Sequence, residues 1–152
     1  MTCDQALKKN IDFKYMKNEA KKTAVKNWTA ANKILSKYPF ESFSSLRDKH
    51  GIEKARDLYS LQESVRKFTD QKLVGIFDCP SIYQLDKNVF VERSMLASVS
   101  TYAYIDVDGV WYDRNDYSEN DHEKYMEWLI QLNKEIDSVR DDTLISIFDY
   151  HC

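Results

Sequence analysis

The sequence predicts an α+β fold, with N-terminal helices packed on a C-terminal β-β-α-β unit that carries a small antiparallel or mixed sheet. Helical spacing of apolar residues dominates the first half, and two alternating apolar runs flank a DG pair in the second half. A last apolar run follows near the C-terminus. We expect a single domain over residues 1–152, with a basic, mainly helical part (1–75) and an acidic α+β part (76–152).

Apolar residues at three- and four-residue steps predict the helices, and Pro and Gly residues mark their ends. The expected helices cover residues 12–38, 42–50, 52–69 and 81–97. Pro39 ends the first helix because it forces the preceding residue out of the α region, and Gly51 supplies the left-handed position after the second. The apolar segment 72–78 fits either a strand or a buried connector.

The clearest local pattern in the second half is that of a β-hairpin. Residues 99–107 and 110–113 alternate β-branched and aromatic side chains, and Asp108-Gly109 lies between them. Gly109 can adopt the positive φ that such a turn requires. The elements expected after the hairpin are a helix from Asn120 or Asp121 to about Val139 and a strand over residues 143–150.

The net charge of −3 conceals two oppositely charged halves. Lys and Arg exceed Asp and Glu by seven in residues 1–75, whereas acids exceed bases by ten in residues 76–152. This charge distribution bears on which partners the protein attracts, and it does not predict the fold. The halves can attract outside partners, or they can neutralise each other within one molecule or across a head-to-tail homo-oligomer.

Composition argues against several classes of protein. The cysteines, Cys3, Cys79 and Cys152, are scattered and odd in number, so no disulfide framework is expected. The Cys and His spacings match no zinc site, and we expect neither metal nor cofactor. No apolar run reaches the roughly 18 residues of a membrane span, and the N-terminal residues lack the apolar stretch of a secretory signal. We therefore expect a cytoplasmic protein with no membrane contact.

The acidic second half predicts a protein-binding surface. Between Asp106 and Asp142 acids outnumber bases by eight, and aromatic residues are interleaved with them. Aromatic side chains beside charges serve as anchors in protein interfaces. The expected partner-binding residues are Tyr112, Asp113, Asp116, Tyr117, Asp121, Glu123 and Glu127. Alternatively, the aromatic residues form the hairpin core and the acids only keep it soluble.

The segment Tyr104–Val110, YIDVDGV, resembles the first motif of haloacid-dehalogenase-type phosphatases. In that family a strand carries a nucleophilic Asp, and a second Asp two residues later acts as acid and base beside Mg²⁺. The resemblance implies a Mg²⁺-dependent phosphohydrolase in which Asp106 is the nucleophile and Asp108 the acid. The same letters also suit a plain hairpin turn, because Asp and Gly are common turn residues.

A third hypothesis, nucleic-acid binding, rests on the first predicted helix. Lys22, Lys26, Lys33 and Lys37 fall within roughly 60° of one another on this helix. A row of lysines follows the phosphate backbone in many nucleic-acid-binding proteins. The solvated face of an ordinary surface helix explains the same four residues.

The C-terminal end, DDTLISIFDYHC from Asp141 to Cys152, is similar to the ends of a group of small uncharacterised phage and bacterial proteins. The similarity extends back to about residue 83 through short motifs, which are Tyr83, Arg93, Ser100-Thr101-Tyr102-Ala103, the DG turn and Val110-Trp111-Tyr112. It implies a shared β-β-α-β module, with Asp149 and His151 at a polar strand end, and a viral or mobile-element setting. Our leading hypothesis is a non-enzymatic phage-type accessory protein that binds and modulates a host macromolecule, for example as a host-defence inhibitor, in the host cytoplasm.

Overall fold

The computed structural model describes residues 3–74, 80–114 and 121–148. The strands are β1 (Cys3–Leu7), β2 (Ala103–Ile105), β3 (Trp111–Asp113) and β4 (Leu144–Phe148). The α-helices are α1 (Phe13–Leu35), α2 (Phe43–His50), α3 (Ile52–Leu61), α4 (Glu63–Asp70), α5 (Lys87–Ala97) and α6 (His122–Ser138), and 3₁₀ turns cover Lys8–Asn10 and Pro80–Gln84. This content confirms the predicted α+β class. No helix within these ranges is both long enough and apolar enough to cross a membrane.

The chain divides into two compact units. Unit 1 contains Met1–Ala20 and Met95–Cys152, and unit 2 contains Lys21–Ser94. The division does not follow the basic and acidic parts of the sequence, because both ends of the chain belong to unit 1. The single domain expected from the sequence stays a prediction.

Unit 1 has two separate two-stranded antiparallel sheets among its described residues. β2 pairs with β3 as the expected hairpin, and Tyr104 lies opposite Tyr112. β4 pairs with β1 and not with the hairpin, so that Leu7 lies opposite Leu144. The β-β-α-β segment therefore does not form one sheet. The sequence does not predict β1, because CDQAL has no β-branched residue and no clear alternation.

The core of unit 1 forms around the buried face of α6. Trp128 and Leu129 are buried, and Tyr104 and Tyr112 pack against them from the hairpin. The ring centres of Trp128 and Tyr104 lie 5.5 Å apart, and the Trp128 indole N–H donates to the carbonyl oxygen of Thr101 at 3.2 Å. One face of the hairpin is thereby fixed to α6.

The core of unit 2 forms around Tyr83, whose side chain is buried. Its ring stacks on Phe68 with centres 5.7 Å apart and packs against Phe90 at 4.9 Å. The Tyr83 hydroxyl donates to the carbonyl oxygen of Leu73. α1 adds Ala24, Ala31 and Ile34 as its buried residues.

The predicted helix ends are confirmed where a local capping residue decides them. α2 begins where Ser42 Oγ accepts the backbone N–H of Ser45 at 3.2 Å, and it ends at Gly51 with φ of +81°. α6 begins after Asp121, as expected. Residues 75–78 of the ambiguous segment 72–78 lie outside the described residues.

Two predicted helices are interrupted. The helix expected over residues 52–69 is divided at Gln62, whose ψ of 126° is extended. The Gln62 side chain accepts the backbone N–H of Glu41 at 2.7 Å and donates to its carbonyl oxygen at 2.9 Å, so a contact distant in sequence accompanies the break. The helix expected over residues 81–97 becomes a 3₁₀ turn and α5, because Asp86 caps α5 by accepting a backbone N–H two residues on at 2.8 Å.

Two tryptophans allow a matched test of the unit 1 core. We expect Trp128→Ala to lower the free energy of unfolding by about 3–5 kcal/mol, because it removes a buried aromatic side chain and its hydrogen bond. Trp111→Ala, at an indole that is 61% exposed, should lower it by no more than about 0.5 kcal/mol. Urea denaturation followed by circular dichroism measures both values. Equal losses in the two variants would contradict the core assigned to Trp128.

Candidate partner-binding surface

Asp106 and Gly109 build the hairpin turn. The backbone N–H of Gly109 donates to the Asp106 carbonyl oxygen at 3.1 Å, and Gly109 has φ of +83°. Asp106 Oδ1 accepts the backbone N–H groups of Asp108 and Val110, each at 2.9 Å. The result is a three-residue loop with glycine at its left-handed position. The Asp106 carboxylate is thus a local acceptor that holds the turn.

The outer side and the tip of the hairpin expose apolar side chains. Ile105 lies directly opposite Trp111 on the side that faces away from the core, and each is 61% exposed. At the tip, Val107 is 70% and Val110 is 47% exposed. We call these four residues the hairpin face. Clustered exposed apolar side chains, such as the Ile105–Trp111 pair, mark interaction sites on soluble proteins.

Carboxylates border the hairpin face. Asp113 lies on the same side of β3 as Trp111 and accepts its indole N–H at 3.1 Å. Asp108 is exposed at the tip. The guanidinium of Arg114, which follows β3, lies over two aromatic rings, 5.4 Å from the centre of Tyr102 and 5.6 Å from that of Tyr125. The rings of Tyr102 and Tyr125 attract this guanidinium, and Asp108 and Asp113 give the border of the hairpin face two carboxylates.

Tyrosine side chains connect the hairpin to α6. Tyr104 and Tyr112 stack with ring centres 4.8 Å apart, and Gln131 Nε2 donates to the Tyr104 hydroxyl at 3.0 Å. Burial raises the pKa of Tyr112, and the negative charge of Asp106, which accepts a hydrogen bond from the Tyr112 hydroxyl, raises it further. The negative charge of Glu135 on α6 acts in the same direction.

The outward side of α6 carries a shallow depression of about 490 Å³. Its lining residues are Glu127, Ile130, Gln131, Lys134, Glu135 and Ser138. The depression adjoins the hairpin, because Gln131 lines it and also binds the Tyr104 hydroxyl. The depression carries two carboxylates and one ammonium group, so α6 adds negative charge to unit 1 beside the inner side of the hairpin.

The structure places the predicted partner-binding residues in different environments. Tyr112 packs on the core, whereas Asp113 lies on the outer side of the hairpin. Asp121 caps α6 by accepting a backbone N–H three residues on at 3.2 Å. Glu123 and Glu127 are exposed and lie four residues apart on α6. Asp116 and Tyr117 lie outside the described residues. Asp149 and His151, at the C-terminal end, also lie outside them.

Sequence reasoning missed the apolar part of this surface, which is Ile105, Val107 and Val110. The necessary pattern is present in the sequence. The DG turn fixes the strand register, and a strand that buries Tyr104 must turn Ile105 to the other side. Charge and aromatic content alone do not reveal this division.

The two aspartates of the phosphohydrolase alternative have separate tasks. Asp106 Oδ1 is occupied by the backbone of the turn, and Asp108 projects from the tip. In residues 3–74, 80–114 and 121–148 no group of three or more His, Cys, Asp and Glu side chains is placed to hold a metal. The geometry therefore lends no support to the nucleophile and acid roles.

The lysines of the nucleic-acid alternative belong to unit 2. Lys22, Lys26 and Lys33 lie on α1, Lys37 lies just beyond its end, and all four are exposed. No acidic residue occurs between Ala20 and Glu41. Lys22, Lys26 and Lys33 form a basic row on α1, as their spacing predicts, whereas Lys37 lies outside the helix because α1 ends before the predicted residue 38.

Comparison with known proteins identifies no relative. No protein-family model matches the chain. No curated protein and no solved structure matches it significantly. These comparisons therefore supply no function for this chain.

The role of Asp106 in the turn can be tested by its effect on stability. We expect Asp106→Ala to lower the free energy of unfolding by about 1–2 kcal/mol, because two backbone N–H groups lose their acceptor. Asp106→Asn keeps an Oδ1 acceptor and should lose less. Asp108→Ala is the control and should change stability by about 0.5 kcal/mol or less. If chemical denaturation shows Asp106→Ala to be as stable as Asp108→Ala, the carboxylate does not hold the turn.

The raised pKa of Tyr112 makes unit 1 sensitive to alkaline pH. The Tyr112 hydroxyl ionises near pH 10 in the unfolded chain but only at a higher pH in the folded chain. Above about pH 10, ionisation therefore stabilises the unfolded state more than the folded state. The free energy of unfolding should fall as the pH rises through this window. In Tyr112→Phe this part of the fall is absent, and urea denaturation between about pH 9 and pH 11 should show a shallower decline. Identical slopes for the variant and the wild type would refute the shift.

Proposed function

We propose that the protein is a non-enzymatic binding module that holds a basic protein partner on the hairpin face. The observation that carries the proposal is the Ile105–Trp111 pair, two large apolar side chains that lie opposite each other and are each 61% exposed. The other side of the same strands is fixed to α6 by Trp128. An exposed tryptophan on a rigid support is the kind of residue that contributes most to protein binding.

Charge complementarity supports a basic partner. Asp108 and Asp113 flank the hairpin face, and Glu127 and Glu135 line the adjoining depression. A Lys or Arg side chain can lay its apolar stem along the Trp111 ring and direct its charge to the carboxylate of Asp113, which lies beside that ring. Carboxylates around an apolar centre also accelerate association with a basic surface and discriminate against acidic ones.

A phage-type setting is part of the proposal. It rests on the resemblance of the chain from about residue 83 onward to small phage and bacterial proteins. In that setting the partner is a host protein in the bacterial cytoplasm, and binding modulates its activity, for example by inhibiting a host-defence factor. The proposal requires no reaction at Asp106 or Asp108.

Matched variants test whether capture uses the hairpin face. Immobilised wild-type protein in a bacterial lysate should retain a basic protein, which can then be purified and titrated by calorimetry. We expect Trp111→Ser to weaken this binding by about 30-fold, equivalent to about 2 kcal/mol, because an aromatic anchor is lost. Asp108→Lys should weaken it chiefly at low salt, because screening already reduces such attraction at high salt.

A variant of the α1 lysines serves as the control, and it also tests the alternative that the protein binds nucleic acid through α1. Lys26→Glu/Lys33→Glu changes charge in unit 2 and leaves the hairpin face intact, so its affinity should equal that of the wild type. If this double variant loses binding, or if the retained molecule is a nucleic acid, the basic row and not the hairpin face is the binding surface. Retention that is unaffected by Trp111→Ser also refutes the proposal.

A further inference from the structure

β4 exposes one hydrogen-bonding edge. The backbone N–H of Lys8 donates to the Thr143 carbonyl oxygen at 2.9 Å, one pair beyond the end of the β1–β4 ladder. Hydrogen-bonded pairs alternate with non-hydrogen-bonded pairs in an antiparallel ladder. The N–H and C=O groups of Leu144, Ser146 and Phe148 therefore point away from β1. Within the described chain the sheet has no third strand to receive them.

β4 also lacks the features that normally protect an open edge. Edge strands usually carry a charge, a proline or a bulge that prevents another strand from pairing with them. The sequence of β4, LISIF, contains no charged residue and no proline. Leu144 is 54%, Ile147 is 65% and Phe148 is 58% exposed. The strand thus offers free backbone groups and apolar side chains together.

The sequence of β4 matches itself in an antiparallel register. When Ser146 lies opposite Ser146 of a second copy, Leu144 lies opposite Phe148 and Ile145 lies opposite Ile147. Every apolar side chain then has an apolar neighbour, and no like charges meet. A charged peptide would find no opposite charge on this strand. These properties select a second copy of the chain as the occupant.

We propose that two copies of the protein associate through β4, about a two-fold axis at Ser146, and form one four-stranded sheet in the order β1-β4-β4-β1. The outward N–H and C=O groups of Leu144, Ser146 and Phe148 then bind those of the second copy, as in other cases of strand addition. The contact involves different residues from the hairpin face, so it is independent of partner capture. Because the pairing is short, the dimer is of the weak, small-interface kind, with a dissociation constant between about 1 μM and 1 mM.

A charge exchange at the two-fold axis tests both the dimer and its register. Sedimentation equilibrium of the wild type from micromolar to millimolar concentration should show a mass that rises from 18.0 kDa towards twice that value. Ser146→Asp and Ser146→Lys should each remain monomeric, because like charges lie directly opposite each other. An equimolar mixture of the two variants should dimerise again. Ser44→Asp, at an exposed serine in the first turn of α2, is the control and should behave as the wild type.

Three results of this sedimentation experiment would overturn the proposal: a wild type that stays monomeric at millimolar concentration, a Ser146→Asp variant that dimerises normally, or a mixture that does not associate. Ser146 Oγ accepts a hydrogen bond from Gln5 Nε2 at 3.0 Å, so circular dichroism must show that the variants are folded. Hydrogen exchange of the wild type provides a second test without any substitution. The amides of Leu144, Ser146 and Phe148 should exchange more slowly at high than at low protein concentration, and equal rates would overturn the proposal.

Discussion

The indole of Trp128 packs against Tyr104 and donates its N–H to the carbonyl oxygen of Thr101, and the arrangement of the hairpin in unit 1 depends on this contact. A two-stranded hairpin is marginally stable in water and needs such support. Once Tyr104 faces α6, the alternation of a strand turns Ile105 and Trp111 to solvent. The exposed apolar group is therefore a direct consequence of how the hairpin is anchored. Its support from a buried core also leaves this surface little conformational freedom to lose on binding.

The carboxylates of unit 1 divide into two groups that the amino-acid sequence does not distinguish. Asp106 and Asp121 accept backbone N–H groups, at the hairpin turn and at the start of α6, so their charges are engaged in local structure. Asp108 and Glu127 lie in solvent, where their charges reach outside molecules. A count of acidic residues therefore overstates the charge that a partner meets. The structural role of Asp106 also explains why a D-x-D-G segment can resemble a catalytic motif although its residues form a turn.

The range over which an interaction acts determines how well the sequence predicts it. The caps at Ser42 and Asp121 and the turn at Gly109 depend on atoms a few residues away, and all three agree with the sequence. The break at Gln62 involves the backbone of Glu41, and β1 exists only as the partner of β4, so neither has a local pattern. For the candidate surface, composition identifies the acidic aromatic segment. Strand register, which requires the pairing to be known, separates its buried from its exposed aromatic residues.

The pairing of β1 with β4 joins segments at opposite ends of the described sequence, residues 3–7 and 144–148. Unit 2, by contrast, is one continuous stretch from Lys21 to Ser94. During synthesis the chain leaves the ribosome from its N-terminus, and a continuous unit can begin to fold as soon as it has emerged. β1 must wait until β4 has been made, because the rest of the described sequence lies between the two strands. Until then its backbone groups are available to chaperones or to neighbouring nascent chains, so the time needed to translate the intervening residues should influence how much protein reaches the native state.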